Sequence, residues 1–242
     1  MDEDAPDPND TETIQWRRDA STSRTVRLLW SLGVGTFFAA ITIIVFWRLY
    51  DLAAQGGAGA IIVAMFAAVI VTILAFAVTS NTERRLEALA SRLPITTPSG
   101  TALERAMDAA LGTIAMIGVM GSLMAVGRYV SQRELLAVGA GPFTGMAALL
   151  LPLALVALVL ASFLRSIGTL DREKRTIYLY DPDQAIDLEV IQGVSARRLG
   201  DATILKLEYA EPDGQYVAGP RRIVVPPEVA SELQGLVERR TP

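Results

Sequence analysis

Met146–Leu164, MAALLLPLALVALVLASFL, runs for 19 residues without a charge and is followed at once by Arg165 and then by the polar stretch LDREKR. A helix needs about 20 apolar residues to cross the hydrocarbon core of a bilayer, so this segment reads as a transmembrane span. It also divides the chain. Long apolar blocks come before it, and strand-like alternation comes after it.

Working outward, three further blocks have the same character: Leu28–Trp47, Ala58–Val78 and Ala109–Gly127. With 146–164 they make four expected spans. Trp30 lies near one end of the first block and Trp47 with Tyr50 at the other, where amphipathic rings favour the membrane interface. Ser31, Gly35 and Ala39 recur every four residues, as do Ala60, Ala64, Ala68 and Thr72; Ala115, Gly118, Ser122 and Ala125 form a further small-residue stripe. Such stripes let helix backbones approach closely, so they are the expected packing faces. Met116, Met120 and Met124 form a second face of the third span and read as soft filler. Pro152 removes one helical hydrogen bond and is expected to kink the last span.

Between the second and third spans, residues 80–107 are polar, and TERRLEALASRL places Leu86, Leu89 and Leu93 at helical spacing. An amphipathic helix on the membrane surface is expected there, in contact with the carboxy-terminal domain. Thr101 followed by Glu104 matches a capping box, which predicts a helix start near Ala102.

Arginine distribution sets the orientation. Arg17, Arg18, Arg24 and Arg27 precede the first span. Arg84, Arg85, Arg92 and Arg105 lie between the second and third, and Arg165, Arg172, Lys174 and Arg175 follow the fourth. The other two loops are poorer in bases, so both termini are expected in the cytoplasm of a multi-pass cell-membrane protein. Residues 1–23, acidic and holding Pro6 and Pro8, are expected to be a disordered tail, with residues 24–166 as the transmembrane domain.

The 242-residue chain is 51% hydrophobic and contains neither Cys nor His, which excludes disulfides, thiolate nucleophiles, Cys/His metal sites and His-based acid–base catalysis. Twenty of its 22 basic residues are Arg, and acids outnumber bases by 26 to 22. Together with the missing Cys, this bias points to a high-salt, GC-rich source such as a haloarchaeon; an ordinary high-GC bacterium is the alternative.

From Thr176 onward, Ile177 and Leu179 alternate with Tyr178 and Tyr180; Ile186 and Leu188, then Thr203–Tyr209, continue the alternation, with turns at Asp181-Pro182-Asp183 and Glu211-Pro212-Asp213-Gly214. Pro226-Pro227-Glu228 opens a closing helix with Val229, Leu233, Leu236 and Val237 on one face. The stretches IDLEVIQGVSARRLGDATILKLEY and RRIVVPPEVASELQGLVERR resemble the bacterial pleckstrin-homology-like domains of small membrane proteins. That resemblance implies, for residues 167–242, a small α+β cytoplasmic domain, an antiparallel sheet plugged by a carboxy-terminal helix, with a role in protein interaction or assembly. The expected fold class is therefore a membrane α-helical unit followed by this domain.

Arg197, Arg198, Arg221 and Arg222 are the candidates for lipid or partner contact, although neighbours on a strand point to opposite faces and neither pair is a ready clamp. The spans hold no internal charge, which lowers the expectation of proton-coupled transport. From Ser166 onward ten bases face 13 acids, which disfavours nucleic acid. The expected function is non-enzymatic, without cofactor or metal: an integral protein docking a protein partner or copies of itself beside the lipid bilayer. A small transporter or channel subunit is the alternative.

Overall fold

The structure, a computed structural model, describes residues 12–79, 100–180, 183–210 and 219–238. The expected surface helix around Leu86–Leu93, and its contact with the carboxy-terminal domain, lie outside these residues. The chain forms two compact units. One comprises Met1–Val26 with Ala161–Pro242, and the other Arg27–Leu160.

The first unit is built from two antiparallel sheets and a helix. Strands β1 (Thr13–Arg18), β2 (Ser166–Asp171), β3 (Thr176–Tyr180) and β4 (Asp183–Asp187) form one sheet in that order. Strands β5 (Ile191–Leu199), β6 (Ala202–Tyr209) and β7 (Arg222–Val225) form the other. A single 3-10 turn, Leu188–Val190, links them, with the Asp187 carboxylate accepting from the Glu189 amide at 2.7 Å. Alternation along the strands turns Leu170, Ile177, Leu205 and Val225 into a shared core where none is exposed. The closing helix α5 (Pro227–Glu238) adds Val229, Ala230, Leu233 and Val237 to that core from one face. Each Val, Leu or Ile of this core contributes about 1.5–3 kcal/mol when fully buried.

Two elements of this unit correct the expected boundaries. Residues 13–18 are not part of a disordered tail: they form β1, paired along its whole length with β2 from Thr13↔Asp171 to Arg18↔Ser166. Trp16 is the reason. Its indole is buried in the sheet core, and its Nε1 donates to Ser166 Oγ at 2.8 Å. Opposite it stands Gly168, where a Cβ would fall 2.5 Å from the Trp16 ring, so only glycine leaves room for the indole. Strand β2 likewise begins at Ser166, ahead of Thr176, where the strand-like alternation was expected to start. The sheet domain is thus discontinuous in sequence, with the four-helix unit inserted between its first two strands. Because β1 and β2 pair, the segments flanking that unit lie on the same side of any bilayer it crosses.

The second unit contains, among the described residues, four helices long and apolar enough to cross a membrane: α1 (Arg24–Gln55), α2 (Gly59–Val78), α3 (Gly100–Gln132) and α4 (Gly141–Leu164). At 1.5 Å per residue, α1 and α3 are about 48–50 Å long, well beyond a hydrocarbon core of about 30 Å. α3 starts at Gly100, whose φ of +53 suits glycine, so Thr101 stands inside the first turn and not at the expected cap. α4 runs without a break through Pro152.

Helices α1 and α3 run parallel, in a register that can be read residue by residue. Arg27 pairs with Asp108, Ser31 and Gly35 meet Gly112, and Ala39 packs with Met116 and Met120. α4 crosses α1 in the opposite direction, with Gly33 against Leu158 and Ala154. α2 meets α1 through the rings of Phe46 and Phe66, whose centroids are 4.7 Å apart.

Candidate functional site

The most densely bonded place in the sheet domain lies where β1 gives way to α1. Asp201 occupies the two-residue loop of the β5–β6 hairpin, beside Gly200 at φ +62, a left-handed position that favours glycine. Arg18 donates from Nη1 to the Asp201 carbonyl at 2.8 Å and from Nη2 to its Oδ1 at 2.9 Å. The same guanidinium donates from Nε to the carbonyl of Leu164, the last residue of α4, at 3.2 Å. Ser23 Oγ donates to Asp201 Oδ2 at 2.8 Å and accepts the Val26 amide in the first turn of α1; Thr25 Oγ1 donates to Oδ1 at 2.9 Å. One carboxylate and one buried arginine therefore tie together the start of α1, the end of α4 and the tip of a hairpin.

The electrostatics follow from this geometry. The Arg18 hydrogen bond, with help from Ser23 and Thr25 and against the opposing effect of burial, holds the Asp201 carboxyl well below the usual carboxylate range. Just upstream, Asp19 closes the connecting turn. Burial works to raise its pKa, but hydrogen bonds from the Ser21 hydroxyl and amide and from Arg17 outweigh that and bring it down to about 2.

The sequence-predicted arginines are dispersed around the second sheet. Cross-strand register puts Ser195 opposite Lys206, Lys206 opposite Arg222, and Arg197 opposite Ile204. Residues two apart share a face, so Arg197, Lys206 and Arg222 stand together on one face of the sheet, all three exposed. Glu208 partners Lys206 at 2.9 Å on the same face. The patch thus takes one residue from each predicted pair and adds a lysine. Arg198 points to the opposite face near the hairpin tip. Arg221 is half-buried with its guanidinium 5.0 Å from the Tyr209 ring centroid, a packing position and not an open contact.

Of the small residues expected to pack helices, Ser31, Gly35 and Ala39 are buried. A Cβ on Gly112 would collide with the Ser31 carbonyl, and one on Gly35 with the Gly112 backbone, so α1 and α3 touch main chain to main chain. Ala60, Ala64, Ala68, Gly118 and Ser122 are placed differently: all are exposed, and nothing approaches Gly118 within 4 Å of a built Cβ. α2 turns its bulky side chains Phe66, Ile70 and Ile73 toward its neighbours, and α3 uses Asp108, Gly112, Met116 and Met120. Large side chains fill the space between helices that cross at a wide separation, whereas glycine is needed only where the backbones meet.

The grooves between helices are apolar. One of them, about 460 Å³, lies among α1, α2 and α3, with Thr42 and Thr113 the only hydroxyls among its described lining residues, and Thr113 Oγ1 donates to the Ala109 carbonyl at 2.7 Å. Among the described residues no group of His, Cys, Asp or Glu could hold a metal ion.

The sequence marked Arg18 only as one of the bases that flank the first span, and did not mark Asp201, Trp16 or Gly112 as site residues. Gly168 and Gly200 could have drawn attention as glycines inside or beside a strand, but their partners lie far away along the chain. No family model, no curated protein and no solved structure matches this chain.

Proposed function

We propose that this is a non-enzymatic, multi-pass cell-membrane protein whose sheet domain docks a protein partner, or a second copy of the chain, at the inner membrane face. The observation that carries this reading is the exposed Arg197–Lys206–Arg222 face on a domain tethered through both β1 and β2. Three cations against one carboxylate, with Ile204 and Val224 half-buried between them, make a surface with both charge and apolar area. Placement of the domain in the cytoplasm rests on the arginine-rich flanks of the spans. The resemblance to bacterial pleckstrin-homology-like domains is supported by two antiparallel sheets closed by a carboxy-terminal helix. The Arg-rich, Lys-poor composition is read as that of a high-salt source. Passage of a solute through the spans draws no support from grooves lined by hydrocarbon side chains.

Chemical crosslinking and native mass spectrometry of the full chain in mild detergent test the reading. An oligomer or a stoichiometric partner lost in Arg197→Glu/Arg222→Glu is the expected result. A monomer without any partner overturns it. A reporter fused after Pro242 tests the orientation, with cytoplasmic activity expected.

A further inference from the structure

We infer that the tip of the β5–β6 hairpin is a membrane-contact element, in which Leu199 enters the boundary of the bilayer and Arg197 and Arg198 bind the phosphates of anionic lipids. The argument begins with position. Thr25, in the first turn of α1, is bonded to Asp201 in the hairpin loop, and the hydrocarbon stretch of α1 begins at Leu28. Three residues of helix are about 4.5 Å, and the polar zone on each side of a bilayer core is about 5–7 Å deep. Leu199 is two residues from Asp201, a reach of about 7 Å along a strand. The Asp201 knot therefore ties the hairpin tip to the turn of α1 that precedes its hydrocarbon stretch, a distance along the helix that matches headgroup depth.

What the tip carries suits that depth. Leu199 is 52% exposed, and apart from Tyr180 it is the only large hydrophobic side chain counted as exposed among the described residues of the sheets. Tyr180 has a polar end within 3.2 Å of Thr169 Oγ1, whereas Leu199 has nothing but hydrocarbon to present. Arg197 shares the face of Leu199 and Arg198 takes the other, so the two guanidiniums straddle the tip. No ion pair among the described residues involves either, and Arg198 reaches only its own loop carbonyl at Gly200, at 3.5 Å. Arg24, next to Thr25 in the first turn of α1, is exposed as well. An anionic bilayer surface offers phosphate oxygens to the arginines and acyl boundary to the leucine, and guanidinium suits phosphate in bidentate geometry.

The absence of natural cysteine makes the test direct. The full chain carrying Leu199→Cys, labelled with a nitroxide, is placed in phosphatidylglycerol nanodiscs, with Gln192→Cys at the far end of β5 as reference. Collision with oxygen relative to a water-soluble nickel chelate is expected to be several-fold higher at 199 than at 192. That ratio is expected to fall toward the reference in phosphatidylcholine nanodiscs and when Arg197→Gln/Arg198→Gln is added. A label at 199 as accessible to nickel as the label at 192 overturns the inference, and so does a depth indifferent to both lipid charge and the arginines. The inference rests on α1 crossing the bilayer and not on a protein partner: a chain that is monomeric by mass spectrometry yet buries the 199 label loses the docking function and keeps this contact.

Discussion

The sheet domain and the helical unit solve opposite packing problems. In the sheet domain, 16 of the described side chains form one buried core, and the polar groups at its edge are knotted by directional hydrogen bonds. In the helical unit, the core cluster around Ala39 holds, among the described residues, only Met116 and Met120 as further buried residues, while Ile41, Ile61, Met65, Val69, Leu149 and Leu153 all lie exposed. The difference follows from the solvent. Water drives apolar side chains inward, so the sheets must close over them. Hydrocarbon does not, so membrane helices gain from close backbone approach and from polar pairs more than from burial. Arg27 with Asp108 and Gly35 with Gly112 are the two devices of the second kind; Trp16 in its cleft is the first kind in one residue.

That contrast can be broken at named positions. Trp16→Ala removes a buried indole and its bond to Ser166, and a loss of about 3–5 kcal/mol from the sheet domain is expected. Denaturant titration followed by near-UV circular dichroism measures it, with the far-UV helical signal of the spans left intact. Gly112→Leu should separate α1 from α3 at a cost of about 1–3 kcal/mol or more. The same change at exposed Gly118 should leave the thermal midpoint in detergent where it was. Equal effects at the two glycines would erase the distinction between a backbone contact and a lipid-facing position.

Arg18→Ala takes away charged hydrogen bonds to Leu164 and Asp201, at about 1.5–3 kcal/mol for such a bond. Its effect should show as faster amide exchange in β1 and at the β5–β6 loop. The smallest effect concerns pH. Asp201 and Asp19 have folded pKa values depressed below those of the unfolded chain. Their contribution is therefore complete above the unfolded value of about 4 and is lost as pH falls through the folded values, about 2 for Asp19 and lower for Asp201. The Asp201 side chain is 43% exposed, so solvent screening limits its share to about 1 kcal/mol or less. Asp201→Asn should flatten the acid limb of a stability-against-pH curve without changing stability at neutral pH by much more than that.

The sequence made legible whatever is local. Apolar runs of the right length marked all four spans, alternation marked β3 and β6, and the spacing of Val229, Leu233 and Val237 marked α5. It hid what depends on distant partners. β1 is a six-residue strand, TIQWRR, in an otherwise acidic segment, and it acquires meaning only from Gly168 and Ser166, about 150 residues later. Arg18 and Asp201 are ordinary surface residue types until the fold brings them within 2.9 Å. The small-residue stripes were visible, yet periodicity cannot tell a helix-facing stripe from a lipid-facing one. Ser31, Gly35 and Ala39 lie inside, whereas Ala60, Ala64, Ala68, Gly118 and Ser122 lie outside.

The central claim is that the first strand of the chain belongs to the same sheet as the segment that follows the last span. A disulfide between Arg17→Cys and Ile167→Cys reads it directly, because these residues are cross-strand partners and the chain has no other cysteine. Paired residues in an antiparallel sheet have Cα atoms about 4.5–5.5 Å apart, within the range a disulfide spans. Mild oxidation of the full chain in nanodiscs should give near-complete intramolecular closure, seen as a faster band on a non-reducing gel. Arg17→Cys with Gln192→Cys, some 30 Å up β5 from the loop that Arg18 touches, should give none. Failure of the 17–167 pair to close under conditions where the domain is folded would contradict the account.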